Sequence, residues 1–145
     1  MFEKILVLCT GNICRSPLAE ELLRLRLAAA GKKSEVRSAG TGALTGHPAD
    51  DTAQAVASQH GVDLSRHCAQ QLNIELSRWA DLILVMAKHH LDDAFAVDPT
   101  ARGKTFLLGH WTGTEVPDPY RQGEAAHRQA YDMIASAVDQ WAARL

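Results

Sequence analysis

No run of apolar residues in this chain approaches the ~18 needed to cross a bilayer as a helix. That excludes a helical membrane span. Positive charge is not in excess: 15 Lys and Arg face 17 Asp and Glu, for a formal net charge of −2. A nucleic-acid footprint is therefore not expected. Cysteine is scarce and odd in number, three in all, which makes no disulfide framework. Free thiols suit a reducing cytoplasm, and that is the expected location. Residues 1–4 lead straight into a short strand pattern, so no signal-peptide core is expected there. No repeat, low-complexity segment or linker divides the chain. His89 and His90 fall about 100° apart on a helix and make a poor metal pair; no zinc spacing occurs elsewhere. Gly40-Thr41-Gly42 lacks the third glycine of a dinucleotide fingerprint. Trp79, Trp111 and Trp141 read as core or edge packing, and Cys68 as a structural thiol.

What is present is an alternation. Strand patterns lie near 4–8, 35–38, 82–86 and 104–107. Helical patterns lie near 17–30, 48–60, 73–78, 87–96 and 123–143. Gly31 and Gly61 stop the first two helices, and Pro48 opens the second. Tyr131, Ile134, Ala135, Val138, Trp141 and Ala142 form the core stripe of the last helix. Strands alternating with helices predict a parallel sheet covered on both faces, with right-handed crossovers. The expected fold is a single α/β domain over 1–145, three layers deep, with a four-stranded parallel sheet. The loop after the first strand then lies at the carboxyl edge, where open α/β sheets bind ligands.

That loop is the most informative segment: Cys9-Thr10-Gly11-Asn12-Ile13-Cys14-Arg15-Ser16-Pro17. A strand precedes it and a helix N-terminus follows, so backbone N–H groups and a helix dipole converge on whatever the loop holds. Gly11 permits close approach of backbone to ligand. Asn12 tolerates the left-handed region and can tie the loop together. Arg15 offers a planar fork that matches two phosphate oxygens. Those positive groups favour Cys9 as thiolate, the nucleophilic form. Ser16 can donate to the Cys9 sulfur, and Pro17 fits a first helical turn. The site suits a tetrahedral dianion with a nucleophile beneath it. Breaking a phosphate ester also requires an acid for the leaving oxygen. Asp118, stiffened between Pro117 and Pro119, is the candidate.

The loop resembles the phosphate-binding loop of the low-molecular-weight protein tyrosine phosphatases: Cys, five residues, Arg, Ser. Ser38-Ala39-Gly40 resembles that family's Ser-x-Gly segment, and Val116-Pro117-Asp118-Pro119-Tyr120 its acid loop. Gly42-Ala43-Leu44, Arg66-His67-Cys68-Ala69 and Gly109-His110-Trp111 resemble the bacterial branch that acts on tyrosine autokinases of exopolysaccharide or capsule export. The resemblance implies a phosphatase in which Cys9, Arg15 and Asp118 are catalytic and a cysteinyl-phosphate forms. It implies a substrate site built from Thr10, Gly11, Asn12, Ile13, Cys14, Ser16, Leu44 and Tyr120. Ser38 and His67 would hold the loop through Asn12. Leu44 stands nearest a Trp of many animal members, and Arg121 replaces a second Tyr of some relatives. Cys14 reads either as a small apolar filler or, as family precedent favours, as a trap that takes oxidised Cys9 into a reversible disulfide.

No metal or other cofactor is expected, because Arg15 and the loop dipoles supply the positive charge. The expected partner is a phosphotyrosine protein, a bacterial tyrosine autokinase, met by a monomer. Three alternatives remain. An arginine phosphatase would carry Thr in place of Ile13. A thiol-coupled arsenate reductase would need two further redox cysteines, where only Cys68 remains. A non-catalytic phosphate-binding module would have lost Cys9, Arg15 or Asp118.

Overall fold

The computed structural model describes residues 2–145; Met1, part of the segment read as leading into the first strand, lies outside them. Strand β1 (Lys4–Cys9) enters the centre of the molecule. Its run Ile5-Leu6-Val7-Leu8 is wholly buried because both faces are covered. Side chains alternate across a strand, so Ile5 and Val7 join one core while Leu6 and Leu8 join the other. Helix α1 (Arg15–Ala29) returns the chain to β2 (Glu35–Gly40). Gly31, at φ 73°, lets α1 close with the Lys32 amide on the Leu27 carbonyl and the Gly31 amide on the Ala28 carbonyl. Then come α2 (Asp51–Gln59), α3 (Ile74–Trp79), β3 (Leu82–Val85) and α4 (Lys88–Val97). A 3₁₀ turn (Pro99–Lys104), β4 (Thr105–Leu107), a second 3₁₀ turn (His110–Thr112) and α5 (Glu124–Ala142) complete the chain.

The four strands run β2-β1-β3-β4, and every pairing is parallel. Successive connections leave β1 in opposite directions along the sheet, which makes its carboxyl end the topological switch point. Helices α1 and α5 supply Leu22, Leu23, Leu27, Ile134, Val138 and Trp141 to the first core. Helices α3 and α4 supply Leu76 and Ala94 to the second. No helix among the described residues is long and apolar enough to cross a membrane.

The expected fold is the one observed, with local corrections. Helix α2 starts after Asp50 rather than at Pro48, because the Asp50 carboxylate accepts the Ala53 amide and takes the N-cap. Strand β2 reaches Gly40, since Cys9 still pairs with Gly40 in register. The 3₁₀ turn after Asp98 was not expected; it carries Pro at its start and delays β4 to Thr105. Cys68, read as structural, is exposed.

Candidate active site

Cys9 ends β1 and Arg15 begins α1, so the residues between them bridge a strand and a helix N-terminus. The carbonyls from Cys9 to Ile13 are all bonded to segments around the loop. Thr41, Gly42 and Leu44 donate their amides to the carbonyls of Cys9, Thr10 and Gly11 at 2.9, 3.0 and 3.1 Å. His67 donates Nε2–H to the Asn12 carbonyl at 2.5 Å, and the Asp50 amide donates to that of Ile13 at 2.8 Å. Five consecutive carbonyls are thus tied to the surroundings. Among the described residues, the amides of 10–14 meet no protein acceptor. They are left to converge on the hollow inside the loop, a nest for an oxyanion. Gly40 makes the close approach possible: a Cβ there would meet the Thr10 carbonyl oxygen at 2.4 Å.

A chain of buried hydrogen bonds runs beneath the loop. Asn12 sits at φ 58° and is fully buried. Its Nδ2 donates to Ser38 Oγ at 2.9 Å and to Ser16 Oγ at 2.8 Å, and its Oδ1 accepts the Gln70 amide at 2.9 Å. Ser38 in turn donates its hydroxyl to Glu20 Oε1. Because Ser16 accepts from Asn12, its hydroxyl proton is free for Cys9 Sγ, 2.8 Å away. Every donor in the series therefore has an acceptor, the condition under which a buried polar network stabilises rather than costs.

Arg15 is 4 % exposed. Its Nη1 donates to the Val116 carbonyl at 2.8 Å, and its Nη2 stands 3.8 Å from Asp118 Oδ2. The guanidinium therefore tethers the acid loop to the phosphate loop. Arg15 Nε is a buried donor without a protein partner. Asp118 is 52 % exposed and accepts the Tyr120 amide through Oδ1. Tyr120 packs against Ile13, Cys14, Ala53 and Ala69, with the Arg121 guanidinium 5.0 Å from its ring centre. Together these residues enclose a cleft of about 200 Å³, lined by Cys9, Thr10, Gly11, Ile13, Cys14, Arg15, Leu44, Asp118 and Tyr120, with Gly42 at its edge. Cys9, Arg15 and Asp118 are brought together. Asn12 and Ser16 do not line the cleft; their side chains brace it from below, with Ser38 and His67.

These observations decide the family. Residues 4–145 match the family described as low molecular weight phosphotyrosine protein phosphatase. The chain belongs to that family. It is 48 % identical over 145 residues to the low molecular weight protein-tyrosine-phosphatase Etp of Escherichia coli K12, covering 99 % of this chain and 95 % of Etp. It superposes on Vibrio vulnificus Wzb in complex with benzylphosphonate at a TM-score of 0.95, with 45 % identity and all of both chains covered. It also resembles the YwlE arginine phosphatase from Geobacillus stearothermophilus, at 33 % identity and a TM-score of 0.89, over 97 % of this chain and 91 % of that one.

Two partners of the phosphatase loop escaped the sequence reading. Glu20 lies one helical turn beyond Ser16 on α1, and that i,i+4 spacing was a usable signal. His90 was not so signalled. The sequence offers it only as half of a poor metal pair, yet it is fully buried and bonds Thr10 Oγ1 through Nε2 at 2.9 Å, across 80 residues. Its Nδ1 accepts the Ala87 amide, so the proton sits on Nε2 and is donated to Thr10. Burial and then the nearby Arg15 push its pKa down to about 4, which keeps the ring neutral in this role. Burial also pushes the Cys14 thiol far up, with Asp50 and Cys9 adding to the effect.

Proposed function

We propose that this protein hydrolyses phosphotyrosine in proteins through a cysteinyl-phosphate intermediate. The observation that carries the reading is the loop itself: five carbonyls bonded to the surroundings, five amides with no protein acceptor, and the Cys9 sulfur and Arg15 guanidinium on the same cleft. A phosphotyrosyl side chain enters between Ile13, Leu44 and Tyr120. Arg15 and the amides of Thr10 to Cys14 grip the phosphoryl oxygens, where charge grows in the transition state. The Cys9 thiolate attacks phosphorus. The P–O bond to the ring breaks as a P–S bond forms, and Asp118 gives its proton to the departing oxygen. Water then attacks the thiophosphate, Asp118 takes back a proton, and Cys9 leaves as thiolate steadied by the Ser16 hydroxyl. Asn12, Ser38 and His67 hold the loop in shape before phosphate arrives.

The flanking segments favour, as substrate, a bacterial tyrosine autokinase of exopolysaccharide or capsule production, met in the cytoplasm by a monomer. The aliphatic Ile13 offers no hydroxyl toward a phosphoramidate, which favours phosphotyrosine over phosphoarginine. The test is phosphate release from a phosphotyrosine peptide and a phosphoarginine peptide, with wild type and Cys9→Ser. Wild type should release phosphate from phosphotyrosine alone, and Cys9→Ser should lose at least about 10⁴-fold in turnover. Release from phosphoarginine alone would reverse the substrate assignment. Appreciable turnover by Cys9→Ser would sink the covalent scheme.

A further inference from the structure

Behind the phosphate loop lies a cluster of three side chains to which the proposed mechanism gives no step, although one of them, Cys14, also borders the cleft. Cys14 is the N-cap residue of α1 but makes no capping bond with its side chain, which is buried. Asp50 caps α2 through Oδ2, at 3.1 Å from the Ala53 amide. His127, in the first turn of α5, is buried, with Nε2 3.6 Å from Asp50 Oδ2. One ligand atom from each of the three lies within 4.8 Å of the others. A void of about 10 Å³ is bordered by Cys14, His127 and Arg15 and otherwise by apolar side chains, with Asp50 outside its lining. That is about the room of one water, enough for a single ion and too little for an organic ligand.

We propose that Cys14, Asp50 and His127 form a binding site for a borderline-soft divalent cation of the Zn²⁺ class. Sulfur, imidazole nitrogen and carboxylate oxygen are the donor types Zn²⁺ takes, and three protein ligands leave a fourth position for water. Hard cations such as Mg²⁺ and Ca²⁺ seek oxygen ligands and are disfavoured by the sulfur. Bonds of roughly 2.0–2.3 Å require the three side chains to close in by about an ångström. Uptake exchanges the Cys14 S–H bond for a sulfur–metal bond and releases the proton to solvent. Counting the imidazole as neutral, exchange of one thiol proton for a dication takes the three ligands from −1 to zero, so the site gains one positive charge but carries no net charge beside Arg15. The bound ion joins the N-termini of α1 and α2 to α5, directly behind the catalytic loop. Spacing along the chain could not disclose the site, because its three ligands come from three separate helices.

The test uses the full chain with Cys9→Ser and Cys68→Ser, which leaves Cys14 as its sole thiol. Titration with Co²⁺ should give a thiolate-to-metal absorption band that saturates at one equivalent and is bleached by Zn²⁺. Adding His127→Gln should weaken binding at least about tenfold. Asp50→Asn keeps the oxygen that caps α2 while removing the anionic ligand, and it should weaken binding similarly whether or not the α5 variant folds well. A double variant that shows no thiolate band overturns the proposal. So does a band whose affinity neither further substitution changes.

Discussion

The phosphate loop and the acid loop face each other across one cleft and are built in opposite ways. In the first, five carbonyls are anchored, Asn12 is bonded on both ends of its amide and Ser16 and Ser38 stand in series, while the amides of 10–14 are left without a protein partner among the described residues. The second is a surface turn. Asp118 is half exposed, and its loop is fastened chiefly by the Val116 amide on the Met86 carbonyl and by Arg15 on the Val116 carbonyl. On the proposed mechanism, the difference follows from their tasks. Stabilising a developing oxyanion requires dipoles that do not reorganise during the reaction. Delivering one proton requires a single carboxylate that can meet leaving groups of different shape and then water. Rigidity is invested where charge accumulates, and freedom is left where a proton must travel.

Substitutions on each side sharpen this contrast. Asp118→Asn should lower turnover by roughly 10²–10⁴, most severely for aryl phosphates with poor leaving groups, while thermal stability stays near wild type. A series of substituted phenyl phosphates measures this; equal losses for all leaving groups would remove Asp118 from its acid role. On the other side, Asn12→Ala orphans partners in a buried network, each worth roughly 1–3 kcal/mol, and places Ala at a left-handed φ. Both stability in urea and turnover should fall, the latter on the order of 10²-fold through misplacement of the loop. Unchanged stability would mean that the loop holds itself.

The smallest effect on turnover is expected for His90→Gln, but it carries a distinctive pH signature. The folded pKa of about 4 lies below the ordinary 6.5, so the unfolded chain binds a proton that the folded one refuses. The stability linked to a neutral His90 is complete above pH 6.5 and is lost as pH falls from there through 4. Wild-type melting temperature should therefore decline across that window, and His90→Gln should flatten the decline. Parallel curves for the two proteins would dismiss the neutral, Thr10-bonded ring.

Legibility in the sequence follows the range of the interactions. The run Ile5–Leu8, the glycine after α1 and the alternation of strands and helices are local patterns, and they yield the sheet without a structure. The loop reads just as clearly, since Gly11, Asn12, Arg15 and Ser16 stand at fixed spacing within one short segment. Element ends read less well because side chains decided them. Asp50 claimed the cap that Pro48 suggested, and Asp98-Pro99 began a 3₁₀ turn before β4. The partners across the fold were the hardest. Gln70 contributes a backbone amide, which no residue type advertises. His90 reaches Thr10 only because β1 and β3 are adjacent strands. Leu44, placed by resemblance alone, does line the cleft and is 39 % exposed.

Gly40 sets a design rule for anyone who would recast this scaffold. The cleft walls at positions 13, 44 and 120 can be exchanged to alter what enters, because they border open space. Position 40 accepts no carbon. A methyl there would collide with the Thr10 oxygen at 2.4 Å and with Ala43 at 3.0 Å, so the neighbouring strand end would transmit its displacement straight into the anion cradle. Selectivity can be rewritten at the rim; the hydrogen atom on Gly40 is the dimension from which the whole catalytic hollow is measured.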